Sequence, residues 1–222
     1  MKKLFFALVG VAALASSSAT AAPYYSWSGC YVGANAGGAW TKKKYNDPFT
    51  LAEVASYSGN GFTGGGQAGC DFEAMRQWVF GAQAMFDWGK FEGSGPLSSS
   101  AFLTEHTRVH WLGSVTGRVG FLVQPAALLY VKAGGAWAHE RFFETASNAP
   151  NYLAEVTVPR IGWTVGGGFE YMVTTNWSAF VEYDYMDFGA HATSACPACT
   201  LNFDIHQNMQ QALFGLNFRF GN

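Results

Sequence analysis

The chain has 222 residues, of which only 13% are charged against about 25% in ordinary soluble domains, with 17% aromatic and 27 glycines. Its mean hydropathy is nevertheless only +0.04. Beyond Ala21 no run approaches the roughly 18 apolar residues of a membrane-spanning helix, which excludes a helical membrane protein. Thirteen basic residues stand against fifteen acidic ones, or eleven against fifteen (net −4) without Lys2 and Lys3, so the basic footprint that nucleic acid requires is missing.

The first element in chain order is a leader. Lys2 and Lys3 form a positive start, Leu4 to Ala15 is an uncharged apolar run, and Ala19-Thr20-Ala21 fits the small-x-small cleavage rule. The run is short for a membrane anchor, so residues 1–21 read as a signal peptide and residues 22–222 as one exported domain.

After the leader the rhythm is two residues, the period of a strand with one apolar and one polar face. Eight such segments follow. Residues 29–40 put Cys30, Val32, Ala34, Ala36 and Trp40 on one face and Asn35 on the other. Residues 61–72 set Phe62, Ala68, Cys70 and Phe72 against Thr63, Gln67 and Asp71. Residues 77–88 set Trp78, Phe80, Ala82, Ala84, Phe86 and Trp88 against Gln77, Gln83 and Asp87. Residues 105–121 set Val109, Trp111, Val115, Val119 and Phe121 against Arg108, His110, Ser114, Thr116 and Arg118.

Residues 128–141 oppose Leu129, Val131, Ala133 and Trp137 to Lys132. Residues 159–171 oppose Ile161, Trp163, Val165, Phe169 and Tyr171 to Arg160, Thr164 and Glu170. Residues 177–188 oppose Ala179, Val181, Tyr183 and Tyr185 to Glu182 and Asp184. Residues 207–220 oppose Ala212, Phe214, Leu216, Phe218 and Phe220 to Gln211, Asn217 and Arg219. Tyr130, Phe180 and Leu213 break the rule by falling on the polar side.

Connections alternate in length. They are tight around Arg76, 124–126 and 174–176, and long and rich in Ser, Gly, Asn and Pro at 41–60, 90–104, 144–157 and 189–206. This is the pattern of an eight-stranded antiparallel, up-and-down transmembrane β-barrel with short periplasmic turns and long extracellular loops. An open sheet edge in hydrocarbon would leave N–H and C=O groups unpaired, so the last strand is expected to close on the first.

Several pieces, in order, resemble the alphaproteobacterial immunogenic outer-membrane proteins, porin-like barrels related to the opacity and OmpA-like membrane domains. They are Trp27-Ser28-Gly29-Cys30-Tyr31-Val32-Gly33-Ala34-Asn35-Ala36-Gly37, Gly64-Gly65-Gly66-Gln67-Ala68-Gly69, Phe80-Gly81-Ala82-Gln83 with Asp87-Trp88, Gly113-Ser114-Val115-Thr116-Gly117-Arg118-Val119-Gly120, Gly166-Gly167-Gly168-Phe169-Glu170-Tyr171 and Val181-Glu182-Tyr183-Asp184-Tyr185. The resemblance implies an outer-membrane surface protein of a Gram-negative bacterium, with structural, antigenic or adhesive roles and no catalytic residues. It implies membrane lipid, lipopolysaccharide, the barrel-assembly machinery and host or cell-surface ligands as partners, and no cofactor. Two features depart from the family pattern: Gly221 and Asn222 follow the terminal aromatic Phe220, and the chain has four cysteines.

The polar face carries the candidate site. Asp71, Asp87, Glu170, Glu182 and Asp184 are expected to point into the lumen with Arg108, Arg118, Lys132, Arg160 and Arg219. Lone charges in a low-dielectric bore are costly, so they should pair across strands. They read as a salt-bridged plug or, alternatively, as the lining of a narrow diffusion path; the side-chain-filled interior of eight-stranded barrels favours the plug. Cys30 and Cys70 share a face on neighbouring strands and either form a disulfide in the oxidising periplasm or remain two small apolar groups.

Cys196-Pro197-Ala198-Cys199, with His191 and His206 nearby, reads as a local loop disulfide or as a haem or metal site at the extracellular loops. Gly64 to Gly69 matches GxGxxG, but no following helix supports a dinucleotide site. His106, His110 and Ser114 share a predicted face without the acidic partner that a catalytic triad needs. Outward Trp40, Trp88, Trp111, Trp137, Tyr171, Trp177 and Tyr185 are expected to form girdles at the two membrane interfaces, and Tyr45, Phe49 and Tyr57 either order a loop or serve adhesion.

Overall fold

The computed structural model describes residues 25–46, 53–75, 77–96, 103–146, 149–194 and 202–220, and side chains within 25–42, 59–75, 77–89, 111–139, 159–189 and 207–220. The leader, Arg76 and the Cys196–Cys199 segment lie outside them. Eight strands follow in chain order: β1 (Gly29–Asn46), β2 (Glu53–Ala74), β3 (Trp78–Pro96), β4 (Leu103–Gln124), β5 (Ala127–Ala146), β6 (Ala149–Met172), β7 (Trp177–Ser194) and β8 (Asn202–Phe220). Each pairs antiparallel with its neighbours, and β8 returns to β1, so the sheet is a closed barrel. The closing seam runs without a register shift from Cys30↔Phe220 to Asn46↔Asp204.

The two-residue rhythm fell on the correct faces. Val32, Phe62, Phe80, Val131, Ile161, Val181 and Leu216 are exposed on the outside, whereas Asn35, Gln67, Asp87, Lys132, Arg160, Glu182 and Arg219 are buried inside. Tyr130, Phe180 and Leu213, apolar or aromatic groups on the polar side, are buried in the lumen as well. One inward assignment changes. Gln77 is exposed in the turn before β3, where its carbonyl accepts the Leu122 N–H at 2.8 Å.

The strands are longer than the sequence rhythm suggested. β1 continues to Asn46 and β2 begins at Glu53, and the other three extracellular hairpins extend likewise. Much of what reads as loop at 41–60, 90–104, 144–157 and 189–206 is therefore strand. A tilted strand crosses a bilayer in about 9–11 residues. Beyond that depth water wets both faces, so the apolar-polar alternation fades while the backbone ladder continues. The ladder is interrupted on β4 between Val109 and Trp111, which breaks the rhythm on which a common face for His106, His110 and Ser114 rests. On β7 a shift between Asp187 and Ala190 coincides with Gly189 at φ 67°, whose N–H donates to Asp187 Oδ1 at 2.8 Å. That positive φ suits glycine.

The outer surface carries two aromatic rows. Trp78, Phe121, Tyr171 and Trp177 lie by the short turns, and Trp40, Trp88, Trp111, Trp137, Trp163 and Tyr185 lie further up. On β3 the rows are marked by Trp78 and Trp88, ten residues apart. At a rise of about 3.3 Å per residue and a tilt of about 45°, that is roughly 23 Å, close to the height of a barrel's apolar band. Edge-to-face contacts knit each row, as in Trp78–Phe121 at 5.4 Å and Phe86–Trp88 at 4.6 Å between centroids.

A charge in that band is expected to be costly in proportion to depth. Val131→Lys should lose about 2–4 kcal/mol, while Val173→Lys in a periplasmic turn should lose at most about 1. Equilibrium urea unfolding in lipid vesicles measures both.

Candidate functional site

The bore is filled in tiers. At the end of the short turns, residues 25–28 precede β1 and tuck into the mouth. Trp27 is fully buried among Val79, Ala126, Leu128, Tyr130 and Met172. Its indole N–H donates to the Pro125 carbonyl at 3.0 Å, and the Glu73 N–H donates to Ser28 Oγ at 3.0 Å. An apolar stopper thus lies below the charges.

Above it sits a neutral quartet of two carboxylates and two guanidiniums. Arg118 pairs with Asp71 through two nitrogens, its Nε donating at 2.7 Å, and reaches Glu170 at 3.1 Å. Arg219 reaches the same two carboxylates at 2.8 and 3.0 Å. Ser178 and Asn217 donate to Glu170 at 2.6 and 2.9 Å. The two guanidiniums also alternate with aromatic rings. Arg219 lies 4.7 Å from the Trp27 centroid and 5.0 Å from Tyr31, and Arg118 lies 4.7 Å from Tyr31 and 5.1 Å from Tyr130. The resulting column, Trp27–Arg219–Tyr31–Arg118–Tyr130, crosses the bore, and each cation meets ring faces where it does not meet a carboxylate.

An amide relay rises from this quartet. Asn35 donates to Gln67 at 2.8 Å, Gln67 to Asn217 at 2.7 Å, and Asn217 to Glu170. A carboxylate only accepts, so Glu170 sets the direction of all three amides. A second ionic group stands beside the relay. Lys132 Nζ lies 2.6 Å from Glu182 and 3.1 Å from Asp184. The Tyr130 hydroxyl donates to Glu182 at 2.7 Å, and Gln211 to Asp184 at 3.1 Å. Asp87 is 1% exposed and lies near Asn35 and Gln211. Towards the extracellular end the filling turns apolar again, with Ala39, Leu112, Ala136, Ala138, Met186, Phe188 and Met209 packed together.

Room for these side chains comes from glycines at matching register. Tyr31 faces Gly69, Tyr130 faces Gly168 and Phe180 faces Gly215 on the adjacent strands. A methyl group at Gly168 would stand 2.6 Å from the Tyr130 hydroxyl, and one at Gly215 would stand 2.6 Å from the Phe180 ring. Large inward groups therefore lie flat across glycines.

Of the ten charged residues expected in the lumen, Asp71, Arg118, Glu170 and Arg219 meet in one group and Lys132, Glu182 and Asp184 in another, with Asp87 beside the second and Arg160 buried in the bore. Arg108 stands opposite Glu92 and Arg141; its side chain lies outside the described ones. So do the side chains of His106, His110, His191 and His206, while Ser114 is buried inward. Among the described residues no group of three or more His, Cys, Asp or Glu is arranged to hold a metal. Cys30 and Cys70 face outward and are joined by a disulfide. Sequence reasoning missed Trp27, Tyr31 and the amide relay. For Tyr31 the available signal was the glycine-rich run of the next strand, which supplies its partner Gly69; Trp27 and the relay had none.

A family model described as "Outer membrane protein beta-barrel domain" matches residues 9–220. The chain is similar to the 31 kDa outer-membrane immunogenic protein of Brucella melitensis, with 29% identity over 92% of this chain and 89% of that protein. It is also similar to the 25 kDa outer-membrane immunogenic protein of Brucella ovis, with 31% identity over 76% and 73%. Among solved structures, the outer membrane protein OprG of Pseudomonas aeruginosa superposes with a TM-score of 0.55 at 12% identity, covering 90% of this chain and 100% of that one; this likeness concerns the fold alone.

Removing one member of the quartet strands its partners. Arg118→Met is expected to cost about 3–5 kcal/mol, and the double substitution Arg118→Met/Asp71→Leu, which leaves Arg219 facing Glu170, to recover most of it. A double-variant cycle of urea unfolding in vesicles measures the coupling.

Proposed function

Because the chain belongs to the outer-membrane β-barrel family and resides in the outer membrane of a Gram-negative bacterium, we propose that it is a non-enzymatic, non-conducting surface barrel. Under this reading the barrel is a rigid stalk, and the four extracellular hairpins carry the antigenic or adhesive contacts. The observation that carries the reading is the continuous filling of the bore. An apolar stopper around Trp27, two buried ionic groups and an apolar upper layer follow one another along the axis. An ion would have to displace paired groups whose removal leaves others unpaired in low dielectric, at a cost of several kcal/mol.

Extended hairpins suit surface contact. Each carries its tip beyond the depth that an apolar band requires, and backbone pairing holds the stem rigid, so little ordering entropy is lost when a partner binds. The names of the Brucella relatives, outer-membrane immunogenic proteins, fit a surface that other molecules meet. The partners of this reading are membrane lipid and lipopolysaccharide around the wall, the barrel-assembly machinery during biogenesis, and host or cell-surface ligands at the tips.

Planar-bilayer recording tests the closed bore. Folded, heat-modifiable protein is expected to give no stepwise conductance. Reproducible steps whose ion selectivity changes with Glu182→Lys would replace the reading with a small porin-like diffusion channel. Exchanging residues 47–52 and 195–201 for short turns should leave membrane assembly intact and weaken recognition by antibodies raised against whole cells; loss of assembly would show that these segments serve folding instead.

A further inference from the structure

The first hairpin has little side-chain information with which to set its own register. Residues 29–40 of β1 pair with residues 60–71 of β2, and nine of these twenty-four are glycine: Gly29, Gly33, Gly37 and Gly38 on one strand, Gly61, Gly64, Gly65, Gly66 and Gly69 on the other. Register is specified by which side chains are buried, and a glycine-rich pair is the kind that slips. Here a one-residue slip of β2 would turn Asp71 from the ionic quartet towards lipid, and one of β1 would do the same to Tyr31, which packs on the two guanidiniums. The same β1 later receives β8, so an error in the first hairpin would pass to the closing seam.

Cys30 and Cys70 are direct cross-strand partners at the base of this hairpin and are bonded to each other. Both face outward. Their outward neighbours along the strands are Val32, Ala68 and Phe72, and those across them are Phe220 and Ala82. Cys70 stands four residues above Ala74, the partner of Trp78 in the periplasmic aromatic row, so it lies on the bilayer side of that row. Thiol–disulfide exchange requires a thiolate, and a charged sulfur is strongly disfavoured in hydrocarbon. Access of a water-borne oxidant to the pair is restricted once the wall is in place.

We infer that Cys30 and Cys70 are oxidised in the periplasm before the chain enters the bilayer, by a thiol–disulfide oxidase, and that the bond pins the register of the glycine-rich hairpin on which the barrel is built. In this step the two thiols lose two protons and two electrons, the S–S bond forms, and the electrons reduce the oxidase's own disulfide to a dithiol. The bond spans 40 residues, so it also removes loop-closure entropy from the unassembled chain. The inference rests on topology and outward placement and is independent of the closed-bore reading.

The test follows the folded band in gels without heating as urea-unfolded full chain is diluted into lipid vesicles. Oxidised wild type should assemble roughly tenfold faster than dithiothreitol-reduced wild type, the factor corresponding to a modest loss of loop entropy. Reoxidation with oxidised glutathione before dilution should restore the rate, and Cys30→Ala/Cys70→Ala should match the reduced wild type under either condition. In assembled barrels the aqueous phosphine TCEP should leave the bond intact that it cleaves in urea. Equal assembly rates for oxidised and reduced wild type, or equal cleavage in vesicles and in urea, would overturn the inference.

Discussion

A peptide group in hydrocarbon has no water to bond. Each unpaired N–H or C=O costs several kcal/mol there, and the shape of this molecule follows from that cost. A sheet satisfies its interior strands but not its edges, so β8 must find β1. Once the cylinder closes, every residue within the apolar band has either lipid or the bore for a neighbour. The two-residue alternation is therefore a division between two solvents, and the low charge content and near-zero mean hydropathy are what that division averages to.

Closure creates the problem that the lumen solves. Eight strands leave a bore about one side chain wide, too narrow for bulk water to solvate charges well. The chain fills it with groups that satisfy one another. Two guanidiniums share two carboxylates, rings cover the exposed faces of the guanidiniums, and an amide relay takes its direction from Glu170. Buried ion pairs of this sort add little net stability over apolar packing. They confer directionality, because their geometry restricts the arrangement of their neighbours, and they join six strands, β2 and β4 to β8. Arg219 shows this well, since it stands on the last strand and contacts the N-terminal segment, β2 and β6 together.

The glycines belong to the same account. Inside, they make room for Tyr31, Tyr130 and Phe180 to lie across the bore. Their cost is a first hairpin that is weakly encoded, and the disulfide at its base lies where a covalent tie compensates for missing side-chain information. In the hairpins above the membrane no lipid divides inside from outside, and the backbone ladder continues through them.

How much was legible depended on which forces act locally. The strand count, the closed antiparallel topology, the inward direction of Asp71, Lys132, Glu170 and Arg219 and the outward direction of the aromatic rows were all readable from the chain. Burial against lipid or lumen is written at every second residue, and neighbouring strands in an up-and-down barrel are neighbours in sequence. The strand ends were not readable, because alternation disappears where both faces are wet while pairing continues, as in β1 beyond Trp40 and β7 beyond Phe188. Nor could the chain alone say which charges meet. That Arg118 joins Asp71 and Glu170 while Lys132 joins Glu182 and Asp184 depends on the stagger between strands, and that Trp27 stops the mouth depends on a cavity that exists only after closure. The sequence by itself determined which face the residues of the membrane-crossing strand segments take; the tertiary structure decided who faces whom across the bore, because those distances are set by the register of all eight strands together.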